Sequence, residues 1–300
     1  MRFLSFSTAT DGDRRLGLSL PDGTVLDLVA ALEGTIAVPA TLAEYIAAGP
    51  AFHVQVREAV AATASWPDDV IRQYDQVVLH APLRPGKIIG VGLNYVEHVE
   101  ESSRSLDTGK DLPTRPVLFS KPGTAVIGAG EPILHNSRLT AQLDWECELA
   151  VVIGASAHSV AESDAFGHVF GYTILNDISA RDQRRSGQWF FSKGQDSYAP
   201  IGPVVVTADE IPDPHDLQLS LTVNGEQMQN GNSRHMLFRI PQLIADITSG
   251  MTLEPGDIIA TGSPQGVGAA MDPPQFLVAG DIIEATIESI GALSNPVKAV

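Results

Sequence analysis

LDWECELAVVIG, residues 143–154, sets two glutamates one residue apart in a run otherwise suited to burial. On a strand, residues i and i+2 point to one face, so Glu146 and Glu148 project together and Cys147 points away. Neighbouring carboxylates repel, and burial raises the cost of ionising either one. A cation between them reverses the sign, and oxygen donors favour a hard ion such as Mg²⁺, Mn²⁺ or Ca²⁺. From this spacing alone, an exposed edge strand with two solvated glutamates is the simpler reading.

A third carboxylate shifts the balance. In FGYTILNDISARD a second apolar run stops at Asn176-Asp177, with Asp182 beyond it. Asn-Asp is good turn chemistry, yet Asp177 at a strand end would complete a three-carboxylate set. Such a set leaves coordination positions open to substrate and water.

Working outward, the strands KIIGVGLNY, VLFSKP, PIGPVVV, LQLSLTVNG and DIIATGS are punctuated by Gly and Pro, with IPQLIADITSG the clearest helix. Residues 84–300 therefore read as a mainly β domain. Residues 1–83 read as a small α+β unit. It has a hairpin turning at Pro21-Asp22-Gly23 and two helices within residues 40–64 that break at Gly49-Pro50. The fold class is α+β, mainly β.

Composition bounds the function. Among 300 residues the formal charge of −17 argues against a nucleic-acid footprint, which needs clustered Lys and Arg. A single cysteine excludes an internal disulfide and a Cys-rich zinc site. The N-terminal stretch lacks the apolar segment of a secretory signal, and no apolar run is long enough to span a membrane. The expected compartment is the cytoplasm. No Gly-x-Ser-x-Gly elbow is present, so nucleophile chemistry by serine is disfavoured.

In GLNYVEHVEES, a helix over residues 95–103 would put His98 and Glu101 on one face. A carboxylate holding one imidazole nitrogen leaves the other basic, as a general base requires. A solvated acidic helix is the competing reading. The polar residues 102–115 read as a lid. Lys193, after an aromatic run, could neutralise a substrate carboxylate or snorkel at a strand end. IIATGSPQGVG, with Thr261 and Ser263 as donors, reads as a carboxylate-binding loop and lacks the ending of a nucleotide P-loop.

Together and in this order these segments, with FSKPGTAVIGAGEPI, FFSKGQDSYAPIGPVVV and LTVNGEQMQNGNS, resemble the fumarylacetoacetate hydrolase family over about residues 84–290. The resemblance implies a mixed β-roll, barrel-like catalytic domain behind a small N-terminal domain, and a homodimer. It implies Mg²⁺, Mn²⁺ or Ca²⁺ held by Glu146, Glu148 and Asp177, a water-activating His98–Glu101 dyad and an active-site Lys193. Thr261, Ser263, Gln229 and Tyr95 are implied as substrate contacts, Ser263 standing where many members carry threonine. The expected reaction is metal-dependent hydrolysis of a C–C bond in an acylpyruvate or related 1,3-diketo acid. The alternatives are an oxaloacetate-type decarboxylase, a 2-hydroxyhepta-2,4-dienedioate-type isomerase and a non-catalytic, metal-stabilised scaffold. The expected partner is a small 2-oxo or diketo acid, with no nucleic acid and no membrane.

Overall fold

The computed structural model describes residues 1–8, 12–97 and 112–300. Its centre is the strand Cys147–Ile153, which is buried along its whole length. Cys147, Leu149, Val151 and Ile153 enter one apolar cluster, and Ala150 and Val152 enter a second. A strand covered on both faces needs a near-continuous apolar run, as this one has. Fully burying each Leu, Ile or Val contributes about 1.5–3 kcal/mol.

Antiparallel neighbours flank it, Val169–Asn176 on one side and Ile258–Ala260 on the other. Beyond the latter, Ile88–Gly92 runs parallel to it, and Val117–Lys121 forms the outer strand. In the other direction Val169–Asn176 pairs with Ala199–Thr207, and that strand pairs with Arg2–Thr8. The sheet continues into the hairpin Arg15–Ser19 and Thr24–Asp27, whose turn uses Gly23 at φ 83°. Hydrogen bonding thus runs without a break from residues 1–83 into the rest of the chain. Helices Leu42–Ala47 and Pro50–Ala62 pack Leu42, Tyr45, Ile46 and Val56 into the second cluster.

A separate sheet orders Glu226–Asn232, Gln218–Val223, Ile282–Ile287, Gly291–Ala299 and Ile133–His135. Its alternating burial, as in Gln218–Val223, marks one covered face. Helix Ile240–Thr248 buries Ile240, Leu243, Ile244 and Ile247, the i, i+3, i+4, i+7 set of an amphipathic helix. Among the described residues, no helix is long and apolar enough to cross a membrane.

One local detail differs from the expectation of an unbroken strand. Leu143–Asp144 forms its own short ladder with Ser179–Ala180, and Trp145 and Glu146 lie between that ladder and the main strand. The chain steps from one ladder to the other here. The Glu146 amide therefore leaves the regular pattern and donates to Asn176 Oδ1 at 3.1 Å, while its carbonyl accepts from the Asp177 amide at 2.8 Å.

Candidate active site

That step joins the two carboxylate-bearing segments. Register pairs Cys147 with Asn176, so Glu146 and Asp177 sit just beyond the paired ends. Oxygens of Glu146, Glu148 and Asp177 lie within 4.8 Å of one another. Exposure is 6% for Glu146, 1% for Glu148 and 0% for Asp177, which excludes the solvated-edge reading of the glutamate pair.

Buried cations hold these oxygens in place. Lys193, the last residue of the short helix Phe190–Lys193, donates to Glu146 Oε2 at 2.8 Å, to Asp177 Oδ2 and to Ser179 Oγ at 2.9 Å. Its Nζ lies 4.8 Å from the Phe119 ring centre. Lys121 ends an outer strand, donates to Asp177 Oδ1, and reaches the Ile178 carbonyl at 3.1 Å. Arg181 bridges Asp144 Oδ2 at 2.9 Å and Glu146 Oε1 at 2.7 Å. Asp144 also accepts from the amides of Trp145, Gly268 and Ala269.

The loop after Ile258–Ala260 closes the site beside Glu148. The Thr261 amide and hydroxyl both donate to the Leu149 carbonyl, at 3.1 and 2.8 Å. The next amide, Gly262, donates to Glu148 Oε2 at 2.9 Å. Gly262 has φ +96°, and a Cβ there would lie 2.8 Å from Asn94 Cβ. Glycine is thus required where the backbone turns its N–H onto the carboxylate. Gln229 accepts from the Cys147 amide and donates to Ser263 Oγ and the Pro264 carbonyl, each at 2.8 Å. The side chains of Thr261, Ser263 and Gln229 therefore tie this loop to the central strand.

Electrostatics follow from burial. Desolvation, then Asp177 and Glu146, push the Glu148 carboxyl well above the usual carboxylate range against the pull of Lys193 and Gly262. Burial works against the Lys193 charge, but Asp177 and Glu146 outweigh it and raise the ammonium above the usual lysine range. Burial wins at Lys121 and lowers it in spite of Asp177. The Cys147 thiol is pushed up by burial and by Glu148, so it is inert.

The structure thus brings together Glu146, Glu148, Asp177 and Lys193, with Gln229, Thr261 and Ser263 behind them. Tyr95, fully buried, lies within electrostatic reach of Glu148. His98, Glu101 and residues 102–111 of the expected lid lie outside the described residues. Sequence reasoning does not reach Lys121, Arg181, Asp144, Ser179 or the Gly262 amide. Asp144 carries a signal, standing two residues before Glu146. Lys121, a cation ending an apolar strand, carries a weaker one.

An oxygen-only cluster of three buried carboxylates fits a hard divalent ion better than a soft or redox-active one. The fold and this centre define a metal-binding enzyme built on a mixed β core. The fumarylacetoacetate hydrolase C-terminal family model matches residues 87–298, and the chain belongs to that family. The oxaloacetate tautomerase YisK of Bacillus subtilis is 42% identical over 292 residues, covering 94% of this chain and 95% of the relative. A fumarylacetoacetate hydrolase from psychrophilic Exiguobacterium antarcticum superposes with a TM-score of 0.82 at 37% identity, covering 100% of both chains. Maleylpyruvate hydrolase from Sphingobium sp. SYK-6, solved with manganese(II) and pyruvate, gives 0.79 at 31% identity over 100% of this chain and 99% of that one.

Proposed function

We propose that the protein is a divalent-metal-dependent tautomerase that interconverts the keto and enol forms of a 2-oxo acid of the oxaloacetate class. The observation that carries this reading is the near full-length similarity to an oxaloacetate tautomerase, joined to a site whose described groups are electrostatic rather than nucleophilic. Glu146, Glu148 and Asp177 would hold Mg²⁺ or Mn²⁺, with Ca²⁺ also compatible with the oxygen donors. When bound, the ion supplies Lewis-acid charge to the carboxylate and 2-oxo oxygens of the substrate.

The chain's own residues do the rest. Lys193, anchored by Glu146, Asp177 and Ser179, keeps a fixed positive charge where the substrate oxygens gain negative charge. Arg181 fixes one oxygen of Glu146, and Lys121 fixes one of Asp177, so neither ligand is free to turn. In this reading the His98–Glu101 dyad would take the proton from C3 of the keto form and return it to the enolate oxygen to give the enol, with the same two transfers run backwards in ketonisation. Gln229, Thr261 and Ser263 shape the loop that faces the substrate carboxylate. A homodimer is carried forward from the family resemblance, with sedimentation as its check.

A second reading, hydrolysis of an acylpyruvate or 1,3-diketo acid, is supported by the Sphingobium hydrolase with its manganese and pyruvate. In that reading His98 draws its proton from water instead. One assay separates the two. Enol-oxaloacetate and an acylpyruvate are followed by enol absorbance, with Mg²⁺, with Mn²⁺ and with chelator. Metal-dependent ketonisation of oxaloacetate without release of pyruvate or carbon dioxide is the expected result. Cleavage of the acylpyruvate with no effect on oxaloacetate would replace tautomerisation by hydrolysis.

A further inference from the structure

Asp144 and Glu146 flank the step at which the chain leaves the Leu143–Asp144 ladder for the central strand. Glu146 belongs to neither ladder, so strand geometry alone does not aim its side chain. One guanidinium does. Arg181 follows Ser179–Ala180, and its fork spans both carboxylates: Nε donates to Asp144 Oδ2 at 2.9 Å, and a terminal nitrogen donates to Glu146 Oε1 at 2.7 Å. Among the described residues, the Arg181 side chain has no other acceptor.

Asp144 is 0% exposed. Besides Arg181, its Oδ1 accepts from the amides of Trp145 and Gly268 at 2.8 and 2.7 Å, and its Oδ2 accepts from the Ala269 amide at 3.0 Å. A carboxylate offers about four acceptor positions, and four donors fill them. Three of those donors are backbone, so Asp144 is the fixed end of the fork. A Cβ at residue 268 would lie 2.8 Å from Asp144 Oδ1, so glycine lets this turn close onto the carboxylate. A neutral acceptor would hold the turn with less desolvation; holding a guanidinium calls for the charge.

We propose that Asp144 is a positioning residue for the metal seat: it anchors Arg181, and Arg181 in turn sets the orientation of Glu146. The assignment rests on the divalent-metal part of the reading above and not on which reaction is catalysed. Without Asp144 the guanidinium is tied to Glu146 alone, and the two turn together. A ligand whose orientation is no longer set binds its ion more weakly. Asp257 supplies a matched control. It is 1% exposed, accepts from the amides of Lys87 and Glu254 at 2.8 and 2.7 Å, and meets Lys87 Nζ at 2.8 Å. The second carboxylate on Lys87 is Glu254, outside the triad.

The test is calorimetric titration with Mn²⁺ of wild type, D144N, R181K, R181M, D144N/R181M and D257N, with thermal midpoints in chelator. D144N should bind Mn²⁺ about 10–100-fold more weakly, the usual effect of removing a partner of a ligand. In the R181M background the same substitution should change affinity by no more than about twofold, because no guanidinium remains to be held. A loss undiminished in that background is the through-space effect of a missing charge and overturns the positioning role. D257N should lower the thermal midpoint and leave Mn²⁺ affinity within about twofold of wild type; a loss equal to that of D144N would mean general loosening and overturns it too. R181K keeps the charge but lacks the rigid fork that spans two carboxylates. It should lose at least about tenfold in affinity, and wild-type affinity in R181K overturns the role even if D144N does not fold. Wild-type protein that binds no Mn²⁺ removes the metal reading and this role with it, whereas D144N that binds as tightly as a binding wild type removes the role alone.

Discussion

Two ion pairs of similar length teach different lessons. Arg57 and Asp209 meet at 3.1 Å with about half of each side chain in water, at 50% and 48%. Lys193 and Glu146 meet at 2.8 Å with 6% and 7% exposed. Water screens the first pair, which contributes little to stability. The second has given up its hydration and holds together only because Arg181, Asp177 and Ser179 complete the network. Burying several charges is an expensive way to stabilise a fold, since apolar residues of equal volume would serve as well or better. The cost makes sense at a site that needs fixed charge for chemistry.

The strongest way to break this comparison is to remove a ligand charge while keeping its shape. Glu148→Gln should weaken Mn²⁺ binding by about 100-fold or more, at least the loss typical of outer-shell changes. Metal-dependent turnover should fall with it. Calorimetric titration with Mn²⁺ checks the affinity, and a variant that binds like wild type would show that the triad is not the metal seat.

Lys193→Met removes one partner of the buried network. In chelator it should cost about 3–5 kcal/mol, because Glu146 and Asp177 lose their shared counter-charge. Added Mn²⁺ should restore part of that loss. Urea unfolding with and without metal measures both, and an unchanged midpoint in chelator would place this pair with the surface pairs.

How much of this is legible in the sequence depends on range. The alternation in LDWECELAVVIG and the strand ending at Asn176-Asp177 are local, so Glu146, Glu148 and Asp177 stand out from the order of residues alone. The strands and the helix Ile240–Thr248 are readable for the same reason. The break at Trp145–Glu146 is not, because it arises from ladder switching between distant segments. Lys121 meets Asp177 from 56 residues away, and Gly262 meets Glu148 from 114. No spacing rule reaches so far. Reaction type is harder still: the motifs point to hydrolysis, while the proteins matched along nearly the whole chain include a tautomerase as well as hydrolases. One enolate-stabilising centre serves both reactions, so the choice rests on the proton-handling groups around it.

A buried polar group kept neutral sharpens the comparison from another side. His215 accepts from the Ile240 amide at 3.1 Å, at the start of the helix Ile240–Thr248. Burial, then Arg239, holds its imidazole below the usual histidine range despite Asp213. The unfolded chain takes up this proton more readily than the folded one. The stabilisation is therefore complete above the ordinary histidine range and is lost as pH falls through it. His215→Gln should flatten the dependence of stability on pH between about 7 and 5, measured by urea unfolding across that range. An unchanged slope would mean that His215 titrates alike in both states.

The smallest effect is expected at the surface pair. Arg57 lies in the helix Pro50–Ala62, and alanine there costs nothing in helix propensity. The change at Arg57→Ala thus reports the ion pair with the packing of an exposed stem. It should shift stability by less than about 1 kcal/mol. The shift should shrink as salt is raised from about 0.01 M to 1 M, where the screening length falls from about 30 Å to 3 Å. Urea unfolding at both salt levels checks both statements. A loss as large as that expected for Lys193, insensitive to salt, would mean that half-exposed charge is not screened here, and exposure would no longer separate the two pairs.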